Sequence, residues 1–311
     1  MIKAVILFVI GLILICIGGD RLVDAAVAIA RKLKIPQMVV GATIVSLGTT
    51  LPEVLVSTTA AFTGSAAIAA GNAFGSIICN TALIAGLTQF IKPTPKVEVA
   101  PLKWRSIFFL AVLLGMNAVG LATNEINQIS GAVLLLLFGV YALLNIKKSS
   151  SEGQSEAEDE ACDKPLILQL IILAVCAVLL YFGASLLVDN GIIIASSLGV
   201  PERVIAVTFI ALGTSLPEFV TSIVSLIKGY ENVGFGNIIG ANILNMLLVI
   251  GIPATVSGIP LEKSTTTIDM PLSLIVMAIL ILPTIIRKKV SRVQGVALLA
   301  IYVSYCVTSF I

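Results

Sequence analysis

Apolar residues in this chain do not alternate with polar ones; they run in blocks of about twenty, long enough to cross a bilayer, separated by short polar stretches. Ten such blocks are read, at residues 4–27, 38–62, 66–90, 106–123, 128–146, 166–195, 204–227, 232–255, 270–286 and 293–310. Hydrocarbon offers the backbone no hydrogen-bond partners, so each block is expected to be a helix that pairs its own main chain. The pattern therefore predicts an all-α membrane protein with ten transmembrane helices. Because the blocks continue along the whole length, the first reads as a span and not as a cleaved leader.

The longest polar interruption, from Lys147 to Lys164, holds Ser149, Ser150, Ser151, Glu152, Glu156, Glu158, Asp159, Glu160 and Asp163. It is too acidic to enter the bilayer and divides the chain into a first membrane half (1–146), a linker (147–164) and a second membrane half (165–311). The linker lacks the ligand spacing and central glycine of an EF-hand loop, which leaves a solvated tether. Five spans, a linker and five spans result. The loops after the odd spans then share one side, and that side collects fifteen of the basic residues, from Arg31, Lys32 and Lys34, through Lys103 and Arg105 ahead of the fourth span, to Arg287, Lys288, Lys289 and Arg292. The other side has three, Lys3, Arg203 and Lys263, with Arg21 inside the first span. The positive-inside rule puts the linker in the cytoplasm and both termini outside it, in a multi-pass protein of the plasma or inner membrane.

Composition agrees with this picture and narrows the chemistry. Hydrophobic residues make up 58% and charged residues 12%, with a mean hydropathy of +1.10, far from a soluble chain's roughly 25% charge. The net charge of +2 comes from loop cations and forms no nucleic-acid-binding stripe. The five cysteines, Cys16, Cys79, Cys162, Cys176 and Cys306, have no metal-ligand spacing and read mostly as small buried hydrophobes. The chain has no histidine, so HExxH and serine–histidine chemistries are excluded, and an ion handled here is expected to see oxygen. Neither catalysis, a prosthetic group nor a protein partner is expected.

An internal repeat supplies the candidate site. Gly48-Thr49-Thr50-Leu51-Pro52-Glu53 in the second span returns as Gly213-Thr214-Ser215-Leu216-Pro217-Glu218 in the seventh, 165 residues later. The same offset carries Asp24 onto Asp189, Pro36 onto Pro201, Ser57 onto Ser222, Gly71-Asn72 onto Gly236-Asn237 and Asn80 onto Asn245. An odd number of spans per half makes the second copy enter from the opposite side, an inverted repeat. A carboxylate at mid-membrane costs a few kcal/mol or more unless a cavity, a cation or a proton compensates it. The proline before each glutamate removes a helical donor, and is expected to break the helix there and free carbonyls in the Gly-Thr-Thr/Ser stretch. Hydroxyls of Thr49, Thr50, Thr214 and Ser215, with amides of Asn80 and Asn245 and the hydroxyl of Ser76, complete a hard-oxygen set suited to calcium or sodium. The alternative for a single copy is a kinked helix with a protonated glutamate, and for each asparagine a polar contact between helices. Gly71/Gly75 and Gly236/Gly240 are spaced for close helix packing. Asp24 and Asp189 lie toward span ends, where capping or solvation competes with a gating role.

The paired Gly-Thr-Thr/Ser-Leu-Pro-Glu and Gly-Asn-x-x-Gly segments resemble the two α-repeats of the cation/calcium exchanger superfamily, over essentially the whole chain. That resemblance implies antiport of sodium against calcium across the membrane. It implies a central diamond of four ligands in which Glu53 and Glu218 bridge the calcium and sodium sites and the Thr49 and Thr214 carbonyls complete the calcium site. It further implies sodium sites using Ser46, Thr50, Ser76, Ala211, Thr214 and Ser215. Proton-coupled members usually carry an acidic residue shortly after Gly-Asn, where this chain has Ala73-Phe74-Gly75 and Ile238-Ile239-Gly240, so the prokaryotic sodium-coupled branch resembles it better. Potassium-dependent members place an aspartate at the position of Asn245. One departure is Ala241, which stands opposite Ser76 in the repeat and lacks its hydroxyl. A proton/calcium or other divalent-cation exchanger, and a cation channel, remain the alternatives.

Overall fold

The computed structural model describes residues 2–152, 165–199 and 213–310, all built from helices but for one two-residue ladder. The helices are α1 (Ile2–Leu33), α2 (Gln37–Phe62), α3 (Ala67–Ile91), α4 (Val99–Thr123) and α5 (Gln128–Glu152) before the linker. After it come α6 (Leu166–Ser197), α7 (Leu216–Ile227), α8 (Glu231–Ser257), α9 (Thr265–Arg287) and α10 (Arg292–Phe310). Eight are long and apolar enough to cross a membrane; α7 and α10 are the shorter apolar ones among the described residues. The expected seventh span begins at residue 204, and residues 200–212 lie outside the described set, as does most of the acidic linker.

Polarity runs inside out relative to a water-soluble protein. Ile6, Leu12, Ile13 and Ile17 of α1, Leu136 and Leu143 of α5 and Ile286 of α9 are exposed, whereas Ser46, Glu53, Asn80, Glu218, Asn237, Asn242 and Asn245 are fully buried. Such an exterior suits lipid, which has no use for polar groups. The most enclosed helix is α8, with 83% of its apolar window buried, so the molecule is organised around it. Its first half crosses α2 at backbone contact: a Cβ on Gly236 would collide with the Met38 carbonyl, one on Gly240 with Ala42 and the Ser46 hydroxyl, and one on Gly41 with the Val233 carbonyl. Absent side chains let two helices approach this closely.

The helices α1 and α6, each of 32 residues, are about 48 Å long at 1.5 Å per residue, more than a bilayer's hydrocarbon thickness. They pack on each other through glycines, since a Cβ on Gly11 would lie 2.8 Å from the Gly183 carbonyl and one on Gly183 would lie 3.0 Å from the Gly11 carbonyl. The pair joins the rest at α2, where Gly48 faces Ala177, at α7, where Gly19 accommodates Val220, and at Lys228, whose Nζ sits 2.7 Å from both Asp20 and Asp24. Asp24 is thereby an ion-pair partner at the surface; Asp189, its counterpart in the repeat, is exposed.

Loop contacts sort the helix ends into two groups. Glu125–Ile126, after α4, pairs antiparallel with Ile259–Pro260, after α8. Lys92, after α3, forms an ion pair with Glu231 at the start of α8 at 2.6 Å, and the segment after α3 bonds to that after α9 through Val97 N–H to Lys288 O and Val290 N–H to Thr94 O. Even-numbered connections thus meet even, and odd meet odd, as in helices that cross in alternation. The loop census does need one correction: Lys103 and Arg105 stand inside α4, and Arg105 is fully buried. Its Nε and Nη2 donate to Asn145 Oδ1 at 3.1 and 2.7 Å, Nη1 donates to the Pro101 carbonyl at 2.8 Å, and the guanidinium lies 4.5 Å from the Trp104 ring centroid.

Candidate cation site

Pro52 does not break its helix. The stretch Ser46–Phe62 continues helically through it, and the irregularity lies a turn earlier, where Gly41–Val45 widens into π-helical turns. The expected break near the motif therefore fails in the first copy. A proline inside a helix withdraws one N–H, here opposite the Gly48 carbonyl, while Thr49 stays in register and offers only its second lone pair. The second copy differs. Thr214 and Ser215 precede α7, whose first turn contains Pro217, a position where a missing N–H costs nothing. The two proline-glutamate steps thus share a sequence and not a backbone.

Both glutamates are fully buried, and neither makes an ion pair among the described residues. Both carboxylate oxygens of Glu53 and Oε2 of Glu218 have no hydrogen-bond partner; Glu218 Oε1 accepts from Thr50 Oγ1 at 3.2 Å. That bond crosses from one copy of the motif to the other. Two further bonds cross in a reciprocal pair: Thr49 Oγ1 donates to Asn237 Oδ1 at 3.1 Å, and Thr214 Oγ1 donates to Asn72 Oδ1 at 3.4 Å. The offset of 165 converts one into the other, so each copy donates to the other through the same pair of residue types.

Ser46 is buried and its hydroxyl bonds back to the Thr43 carbonyl at 3.1 Å. Ser215 donates to Ser76 at 3.4 Å. Its symmetry mate would run from Thr50 to residue 241, an alanine with nothing to accept, and Thr50 turns to Glu218 instead. The break in the repeat at Ala241 thus explains why Glu218 is partly satisfied and Glu53 is not. Asn80 and Asn245 are both fully buried, and each lies at the start of π-helical turns, Asn80 second in Cys79–Ala85 of α3 and Asn245 first in Asn245–Ile250 of α8. Such turns widen the helix and recur at functional sites. Asn80 Oδ1, Asn245 Oδ1 and Asn245 Nδ2 have no partner. Ala211 lies outside the described residues. Of the glycine pairs, Gly236/Gly240 makes the close packing expected, whereas a Cβ added at Gly71 or Gly75 meets nothing within 4 Å among the described residues.

Sequence reasoning did not assign the side chains of Asn72 and Asn237, although the repeat marked both. Asn72 Nδ2 donates to Ser57 Oγ at 2.8 Å and to the Glu53 carbonyl at 3.2 Å, fixing the main chain beneath that carboxylate. Nor did it find Asn242, which touches Asn80, Thr81 and Met277 and has no counterpart in the first half. Chemically, the site offers two carboxylates, amide oxygens and hydroxyls, and no cluster of three or more His, Cys, Asp or Glu side chains occurs among the described residues. A cation here must draw the rest of its shell from neutral oxygens, which suits hard ions.

The model of the sodium/calcium exchanger protein family matches residues 3–147 and 168–311. The chain belongs to the sodium/calcium exchanger family. That family consists of membrane transporters, not enzymes. The exchanger is 32% identical to the putative antiporter CaxA of Alkalimonas amylolytica, over 98% of both chains. It is 27% identical to the sodium/calcium exchanger MaX1 of Methanosarcina acetivorans, again over 98% of each. Its fold matches the sodium-calcium exchanger NCX_Mj, solved after soaking in sodium and strontium, with a TM-score of 0.82, 31% identity and 97% coverage of both chains. The exchanger thus matches two of these proteins in sequence and the third in fold, each over at least 97% of both chains.

Proposed function

We infer that this exchanger is a sodium/calcium antiporter that works by alternating access at the seam between its two motif copies. The observation that carries the reading is the pair of fully buried, salt-bridge-free glutamates, with three of their four carboxylate oxygens unpartnered. Two carboxylates supply a charge of −2, which one calcium ion neutralises. Calcium is ligated by Glu53, Glu218 and the Thr49 and Thr214 carbonyls, with Asn80 and Asn245 completing the central set. Sodium uses the flanking oxygens of Ser46, Thr50, Ser76, Ala211, Thr214 and Ser215. The two ions compete because both need the same glutamates, and competition for one site is what couples their opposite movements. If more than two sodium ions replace one calcium, each uncompensated charge couples to the membrane potential at about 2.3 kcal/mol per 100 mV.

Ten spans in two inverted halves, with the 147–164 linker in the cytoplasm and both termini outside it, provide the frame for this cycle. The even-with-even and odd-with-odd loop contacts support alternate crossing, and the reciprocal Thr–Asn bonds support the inverted relation. The glycine-lined packing of α1 on α6, two helices of equal length, supports a sliding element over a fixed core of α2, α3, α7 and α8.

Purified exchanger in proteoliposomes loaded with sodium should accumulate calcium-45 when diluted into sodium-free buffer, and an inside-positive potential should increase the rate. Uptake that ignores sodium but follows a pH gradient would replace this reading with proton coupling, and flux without any counter-ion would make the protein a channel. In the same assay Ala241→Ser restores the missing hydroxyl opposite Ser76. We expect it to lower the sodium concentration for half-maximal exchange roughly threefold, the worth of one added polar contact, while half-saturation by calcium changes less.

A further inference from the structure

We propose that Asn242 is a positioning residue that fixes the side-chain amide of Asn80 with its oxygen, and not its NH2 group, facing the cation. The inference rests on the reading of Asn80 as a cation ligand. A terminal amide is nearly symmetric in shape but opposite in charge at its two ends: the oxygen attracts a cation and the NH2 repels it. Something must decide which end faces the site.

The decision is made by a chain of contacts running away from the site. It ends at Met277 of α9, whose sulfur accepts and has no hydrogen to donate. Thr81 Oγ1 donates to Met277 Sδ at 3.1 Å, which commits its one proton and leaves its lone pairs to accept. Asn242 Nδ2 fills that role, donating to Thr81 Oγ1 at 2.7 Å and to Met277 Sδ at 3.2 Å. With its NH2 committed on that side, Asn242 can turn only its oxygen toward Asn80, whose Nδ2 donates to it at 3.2 Å. Asn80 Oδ1 is then left on the opposite side, buried and without a partner. Asn80, Thr81 and Asn242 are all fully buried, so no solvent competes for these donors.

The repeat provides an internal contrast. The positions that correspond to Asn242 and Thr81 are Ile77 and Met246, so Asn245 has no such chain behind it, and its Nδ2 and Oδ1 are both unpartnered. One central asparagine is held in a set orientation; its mate is not. If the hold on Asn80 is removed, its NH2 can turn inward and donate to a free glutamate oxygen, a bond that an arriving cation has to break.

A double-substitution cycle tests this on the full-length exchanger in proteoliposomes. Asn242→Ala should raise the calcium concentration for half-maximal sodium-driven uptake about tenfold, the worth of one hydrogen bond to a charged group, with maximal rate changed far less. Thr81→Val should act the same way, and Thr81→Ser, which keeps the hydroxyl, should restore the parent value. Asn80→Asp gives the position two equivalent oxygens with no orientation to set, so adding Asn242→Ala to that variant should produce no further change in half-saturation. An equal shift from Asn242→Ala in both backgrounds overturns the proposal and makes Asn242 a packing residue. Parent-like calcium dependence in Asn242→Ala also overturns it. Asn80→Ala separates the two levels of inference: if it leaves calcium half-saturation unchanged, Asn80 is no ligand and the site assignment falls. If it raises that concentration while Asn242→Ala does not, only the positioning role falls.

Discussion

Sodium-driven calcium uptake should be abolished by Glu53→Gln and by Glu218→Gln, each alone, while the detergent-extracted protein should keep its elution volume on size exclusion. Glutamine retains the size of the side chain and one oxygen but removes the charge that calcium has to find. With two carboxylates and, among the described residues, no cluster of three acidic groups, losing one leaves a divalent ion half-neutralised in a medium where an unbalanced charge costs several kcal/mol. A loss of two orders of magnitude or more in calcium-dependent rate follows, since about 2.7 kcal/mol already corresponds to a hundredfold. The Glu218 carboxylate accepts a hydrogen bond from Thr50 and the Glu53 carboxylate accepts none among the described residues, so Glu218→Gln, with its oxygen able to keep that contact, should leave the fold closer to the parent. Full transport in both variants would remove the glutamates from the site.

The second large effect concerns assembly. Gly240→Val places a branched side chain where α2 passes at the Ala42 backbone and the Ser46 hydroxyl. Neither helix can yield without parting the seam that holds Thr49 against Asn237. Forced overpacking of this kind costs about 1–3 kcal/mol in a well-packed core, and here it also separates oxygens that have to converge on one ion. The thermal midpoint in detergent should fall by several degrees, and transport should fall with it. Gly139→Ala, on the exposed face of α5 with nothing near its added methyl, serves as the control and should match or exceed parent stability, because alanine is the better helix former. Equal stability of the two variants would show that α2 and α8 do not cross at backbone contact.

What the sequence revealed and what it withheld follow from different physics. Glu53, Glu218, Asn80 and Asn245 are legible because each is a polar group in an apolar run and each occurs twice in one register. Asn242 meets the first condition and not the second, so a search for repeats passes over it. Hydropathy places Arg105 in a loop because it treats an arginine as a solvated group; Asn145, forty residues away, and the adjacent Trp104 ring accept it into the interior instead. The π-helical turns at Asn80 and Asn245 carry no residue signature, since any residue can take nearly helical dihedrals and the extra residue is accommodated by neighbouring helices. The proline step misled for a related reason. A proline can sit within a helix or begin one, and the choice between them, made differently at Pro52 and Pro217, depends on packing that one short motif does not encode.

The reciprocal Thr49–Asn237 and Thr214–Asn72 bonds have a consequence for ancestry. Each half of the chain carries one donor and one acceptor, and neither half satisfies its own. A half-length chain inserted in both orientations would find the missing partner in an upside-down copy of itself, through a self-complementary contact with two identical bonds. Fusing two such copies frees each to diverge, and Ser76 opposite Ala241, like the singular Asn242, is a difference that only a fused pair can keep.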